Sequence, residues 1–297
     1  MTDHNGIVLG PNQYGKAEVR VVKVTRDTDR HEIEDLNVTS QLRGDFTVAH
    51  TEGDNAPVVP TDTQKNTVYA FAKDGVGSPE AFLLRLHDHF TSNFDWVTGG
   101  QWQAEQYSWS RINDHDHAFV RTNTATRTAV VVADDGGASR VIGGLKELTV
   151  LKTTASGFTG YPKDKYTTLA ETTDRILATD VSARWRYNTH DVDFNAVYES
   201  VSNILLEKFA EKYSYALQTT LFEMGAAVIA AHPEIDEIRF SMPNKHHFVV
   251  DLSPFGQENP NEVFFAADRP YGLIEASVQR EGATLDDAAW AGIAGFC

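Results

Sequence analysis

One order of apolar patterns, used twice, restricts this chain more than any other feature. Each half pairs two strands, then two amphipathic helices, then two more strands. Residues 17–25 (AEVRVVKVT) and 30–42 are β-rich and partly alternating, and Gly44 and Asp45 mark the break that follows. Residues 61–72 open at a Thr or Asp cap and predict a helix. Ser78-Pro79 starts another over 79–94, where Phe82, Leu86, Phe90 and Phe94 recur at i+4 and form one apolar face. Residues 95–111 and 116–133 are aromatic and β-branched and predict two long strands, and Asp134 to Gly137 predict a turn or seam. The second half repeats this order. Strands at 140–152 and 180–190 precede a helix over 194–213, whose stripe is Phe194, Val197, Val201, Ile204, Leu205 and Phe209. A helix over 216–231, stopped by His232-Pro233, leads to strands at about 235–252 and 262–280. Antiparallel pairs with helices on one face make an α+β domain, and its outer strands call for partners at the sheet edges.

Composition narrows the function classes. The 297 residues include 42 acidic and 26 basic side chains, for a formal charge of −16, which disfavours wrapping nucleic acid. Apolar residues at 41% and charged residues at 23% fit a folded chain long enough for about two domains. No apolar run approaches the roughly 20 residues of a membrane helix. The opening MTDHNGIVLG lacks a basic n-region and a long apolar h-region, so a cytoplasmic location is expected. A single cysteine, Cys297, excludes an intrachain disulfide and any Cys-based zinc or iron–sulfur site within one chain, and it suits a reducing compartment.

Short motifs carry little chemistry alone. GPNQYGKA (Gly10 to Ala17) nearly matches a phosphate loop. Ala17 offers magnesium no hydroxyl, however, and a strand-like run follows where a helix should open. Lys16 then reads as a solvated lysine or as one held rigidly before a strand. Asp114-His115-Asp116-His117 reads as a polar turn more readily than as a metal site, since neighbours on a strand face opposite ways. The same rule sends His246 and His247 to opposite faces, and His87 and His89 suit a surface helix. Arg175 taken alone suits a helix-surface salt bridge, and Phe158 suits core packing.

Taken in order, five segments carry more. YGKAEVR, TDTQKNTVY, LTVLKTTASGF, DKYTTLAETTDRILATDV and SMPNKHHFVVDL strongly resemble the urate oxidase (uricase) family, from about Gly10 to about Arg280. The resemblance implies two tandem tunnelling-fold domains, 10–135 and 138–297. Each would be an antiparallel four-stranded sheet with two helices on one face, and homotetramers would close the sheets into barrels around a tunnel, with active sites between subunits. It implies oxidation of urate by dioxygen and water to 5-hydroxyisourate and hydrogen peroxide, with neither metal nor organic cofactor.

By the same resemblance Arg175 and Gln218 grip the polar edge of urate, Phe158 stacks on its ring, and backbone groups at Asp62 and Leu217 complete the contacts. Thr61 and Asn244 hold dioxygen or a water above the ring. Lys16 works with Thr61 in proton transfer, and His246 completes the relay. A zinc-dependent purine or pterin hydrolase on the same fold would instead need Cys and His ligands. Two departures stand out. Pro60 replaces the small residue expected before the active threonine, and the end Gly295-Phe296-Cys297 is not the Ser-Lys-Leu of peroxisomal members.

Overall fold

Alternation in the first segment buries Val19 and Val21 and leaves their charged neighbours outside, giving strand β1 (Tyr14–Thr25). The computed structural model describes residues 6–122, 124–134 and 136–293; Cys297 lies outside them. It divides into two units. The first comprises Met1–Gly144, Arg186–Asn195 and Asp287–Ala289; the second comprises Leu145–Trp185, Ala196–Asp286 and Trp290–Cys297.

In the first unit β1 pairs antiparallel with β2 (Glu32–Gly44). A short helix α1 (Thr47–Thr51) precedes α2 (Thr61–Lys73) and α3 (Pro79–Asn93), and β3 (Val97–Gln106), β4 (Trp109–Arg111), β5 (Phe119–Arg121) and β6 (Thr126–Ala133) follow. The sheet order is β1-β2-β3-β6. Pro79 sits in the first turn of α3, and Ser78 Oγ accepts from the Ala81 amide at 3.1 Å. The stripe Phe82, Leu86, Phe90 is fully buried, whereas Phe94 is the residue that ends the helix. Both α2 and α3 pack on this sheet. Buried Ser40 on β2 donates its hydroxyl to Gln64 of α2 at 2.9 Å, tying helix to sheet.

The two long strands expected at 95–111 and 116–133 are each interrupted. Pairing of β3 with β2 closes in register at the Tyr107 amide, which donates to the Asp35 carbonyl at 2.9 Å, and a second ladder closes where the Thr122 amide donates to the Ser108 carbonyl at 3.0 Å. The residues beyond form a separate β4-β5 ribbon. Asn113 and Asp114 take positive φ near its tip. Asp114 to His117 are exposed there, with Arg30 holding both carboxylates and Arg111 donating to the Asp116 carbonyl at 2.7 Å. The polar-turn reading holds.

The second unit has the order β7-β8-β9-β10, from β7 (Arg140–Lys152), β8 (Leu177–Tyr187), β9 (Ile235–Val249) and β10 (Phe264–Gln279). Its helices are α4 (Phe194–Glu211) and α5 (Leu217–Ala231); three of the four residues of the short α6 (Asp287–Trp290) belong to the first unit. α5 packs on β9 and β10. Gly225 permits this close approach, because a Cβ there would lie 2.6 Å from Val278 Cγ2. Lys152 fastens the end of α4 by donating to the carbonyls of Phe209 at 3.3 Å and Lys212 at 2.6 Å. β8 begins at Leu177, ahead of the expected 180, so Arg175 stands two residues before a strand and not on a helix. No helix among the described residues is long and apolar enough to cross a membrane.

Candidate active site

Lys16, Thr61 and Asp62 belong to the first unit. Lys16 lies at a bulge in β1, where register with β2 shifts between Lys16 and Val19 and Glu18 adopts φ 56°. Gly15 is required beside it, since a Cβ would fall 1.8 Å from the Ser40 carbonyl oxygen of β2. The Tyr14 hydroxyl donates to the Val59 carbonyl at 3.1 Å, joining β1 to the loop that leads into α2. Pro60 occupies the cap position of α2, its carbonyl accepts from the Gln64 amide at 3.2 Å, and the helix starts at Thr61. First-turn amides have no intrahelical acceptor, so Thr61 and Asp62 offer donors at the positive end of a helix. The Asp62 carboxyl accepts from Lys65 and Asn66; the Lys65 bond, then its charge, with Lys16 adding a smaller part, hold it below the usual carboxylate range.

The remaining site residues belong to the second unit. Phe158, Arg175, Asn244 and His246 line one cavity of about 700 Å³. Phe158 pairs with Thr172 across a two-bond bridge, its amide donating at 2.7 Å and its carbonyl accepting at 3.1 Å. The Arg175 amide donates to the Ser156 carbonyl at 2.9 Å, and its Nε reaches the buried Ser156 hydroxyl at 3.4 Å. Its guanidinium lies 5.2 Å from the Phe158 ring centre. Both are half-buried, so neither the core nor the salt-bridge alternative describes them. Leu217, buried, and Gln218, exposed, open α5; they are not part of that cavity wall.

His246 and His247 both border the cavity; the His246 ring stacks with Phe248, two residues on, at 5.8 Å, as alternation along a strand allows, and the His247 Nδ1 lies 3.1 Å from the Lys245 carbonyl. Both pair in even register with β10, His246 with Ala267 and His247 with Ala266, and the register shifts only beyond them, between Ala267 and Gly272. Burial, then the charge of Arg175, then His247, keep the His246 imidazole below the ordinary histidine range, and so neutral near pH 7. Burial also lowers the Arg175 guanidinium from its ordinary value, but arginine stays protonated throughout.

Three supporting side chains escaped sequence reasoning. Lys245 pairs with Asp180, which also accepts from Thr149 at 2.5 Å; burial opposes these bonds, yet they hold the Asp180 carboxyl below its usual range and fix the backbone between Asn244 and His246. Tyr213 donates to the Thr173 carbonyl at 2.7 Å, and its hydroxyl would lie 2.4 Å from a Cβ on Gly157, so the turn before Phe158 needs glycine. Tyr161 stacks on Phe158. Gly157, Asp180 and Lys245 fall within the quoted segments, but nothing local in the sequence marks their contacts. Among the described residues no group of three or more His, Cys, Asp or Glu side chains is placed to hold a metal ion.

The model of the uricase family matches residues 12–132 and 141–275. A uricase from Arthrobacter globiformis is 69% identical over 291 residues, covering 98% of this chain and 96% of its own. One from Oryctolagus cuniculus is 38% identical over 279 residues, covering 90% and 93%. The crystal structure of the Arthrobacter globiformis uricase superposes with a TM-score of 0.93 at 69% identity, over 95% of this chain and 98% of that one. The fold persists in a Bacillus fastidious uricase at 24% identity, with a TM-score of 0.77 over 90% and 93%.

Proposed function

This chain belongs to the uricase family, and from that premise we propose that it oxidises urate with dioxygen and water to 5-hydroxyisourate and hydrogen peroxide. The observation that carries the reading is the shared wall of Phe158, Arg175, Asn244 and His246. A planar anion stacks on the phenyl ring. The guanidinium fork meets a carbonyl and a ring nitrogen with two charge-assisted bonds, and the Gln218 amide adds a donor and an acceptor. The Leu217 and Asp62 backbone groups at two helix starts bind the rest of the edge.

Oxidation removes two electrons and two protons from urate and delivers them to dioxygen as peroxide; water then adds to the oxidised ring. Electron flow to oxygen is easier from a more deprotonated, electron-rich urate, so the protein's task is proton transfer. A threonine hydroxyl is a poor base by itself. Lys16 draws the Thr61 proton away, and neutral His246 passes protons onward. Asn244, with Thr61, orients dioxygen and later the attacking water. No metal or organic cofactor enters this scheme.

The chain acts in it as a homotetramer of paired tunnelling-fold domains, 10–135 and 138–297. Barrels close the outer strand edges, the active sites lie at subunit interfaces, and the location is the cytoplasm. The direct test mixes metal-stripped protein with urate in aerated buffer. Equal molar loss of urate, uptake of oxygen and release of peroxide is expected; urate loss without oxygen uptake would defeat the reading.

His246 gives a pH signature. Its depressed pKa keeps the imidazole neutral below the ordinary histidine range. The acid limb of kcat/KM should therefore fall only beneath that range, and His246→Asn should lower the plateau and remove this limb. Unfolded chain binds this proton more readily, so folded stability from the same group is lost as pH drops through the depressed value. An acid limb at or above ordinary histidine values would take His246 out of the relay.

A further inference from the structure

We infer that Tyr161 is a positioning residue: it fixes the plane of Phe158 and thereby sets how tightly the site holds a flat heterocycle. The inference rests on the urate-oxidising reading above. Residues 158–172 form a loop whose neck is the Phe158–Thr172 bridge, and Arg175 follows three residues beyond. From within this loop the Tyr161 ring returns to lie nearly parallel to Phe158, with centroids 4.8 Å apart and planes 14° apart. That offset stack covers one face of Phe158, whose ring borders the cavity beside the Arg175 guanidinium, 5.2 Å from its centre.

Tyr161 is itself held from two sides. Its hydroxyl donates at 2.6 Å to the carbonyl of Leu169, a residue of the cavity wall. The Lys163 ammonium lies 5.6 Å from its ring centre and pairs at 3.2 Å with Glu171, which also accepts from the Gly160 amide at 3.2 Å. Gly160 and Lys163 lie on either side of Tyr161 in sequence, so one carboxylate holds the backbone amide before the ring and the ammonium beyond it.

Neither Phe158 nor Tyr161 is a core residue; both are half-buried beside the cavity. An unbacked phenyl group there would sample several rotamers, and the entropy of ordering it would fall on ligand binding. Backing it in advance improves affinity for any planar ligand without touching the reacting atoms, so KM should respond and kcat should not.

Two variants test this. Tyr161→Leu removes the stack; the urate KM and the dissociation constant of the non-reactive analogue 8-azaxanthine should each rise about tenfold, with kcat within about threefold of the parent. Tyr161→Phe keeps the ring and loses only the tether, so KM should stay within about threefold. Unchanged KM and analogue affinity in Tyr161→Leu would overturn the inference. So would a Tyr161→Leu chain that fails to fold or loses turnover at constant KM, since either assigns the ring to stability. A parent protein without urate-dependent oxygen uptake would instead defeat the functional reading beneath it; an active parent with an indifferent Tyr161→Leu defeats the Tyr161 assignment alone.

Discussion

Lys16→Met should slow urate turnover by about a hundredfold or more while leaving 8-azaxanthine affinity nearly unchanged, the pattern of a lost proton-transfer group. Methionine keeps the length of the side chain and deletes the amine. The setting favours a fixed ammonium or amine there. Lys16 sits at a β-bulge, beside a glycine whose hydrogen faces the Ser40 carbonyl, on a strand joined through Tyr14 to the entrance of α2. Its charge reaches Asp62 in the first turn of that helix, the residue after Thr61. A solvated lysine with no role would leave turnover intact when replaced, so near-normal kcat in the variant removes the amine from the mechanism. Stopped-flow loss of urate absorbance, read beside analogue titration, separates the two cases.

Much of the fold was legible because helices announce themselves locally. The i+4 stripe of α3, its Ser-Pro start and the His-Pro stop of α5 are short-range signals, and their helices begin or end within a residue of expectation. Strand ends are set by distant partners. Nothing in the run 95–111 records that pairing with β2 will end at the bond from the Tyr107 amide to the Asp35 carbonyl. Alternation continues past the break, so one strand was expected where the structure has two. The early start of β8 has a similar cause: Leu177, Ala178 and Thr179 are all buried and so show no alternation.

The site was legible in types and positions, through motifs in fixed order, but not in its supports. Tyr161 lies in an exposed loop of mixed composition, and its value depends on the loop folding back onto Phe158. Asp180 resembles any carboxylate at the start of a strand until Lys245 and Thr149 are seen on it. Residues that touch a ligand recur as motifs; residues that hold them in place are found through contacts far apart in sequence.

Arg175→Ala should weaken 8-azaxanthine binding by about a hundredfold or more, since two charge-assisted hydrogen bonds of about 1.5–3 kcal/mol each are lost. The guanidinium has a second role, which makes the variant diagnostic. Its charge is one of the forces that depress the His246 pKa. Removing it should let that imidazole return toward its ordinary value, and the acid limb of residual activity should move upward in pH. Arg175→Lys separates the two functions. An ammonium keeps the positive charge but has no planar fork, so affinity should still fall while the acid limb stays low. If the limb moved in both variants, fork geometry and not charge would govern His246. If analogue affinity survived Arg175→Ala, the cavity wall shared by Phe158, Asn244 and His246 would bind the heterocycle through some other group, and the assignment of its anion clamp would fail.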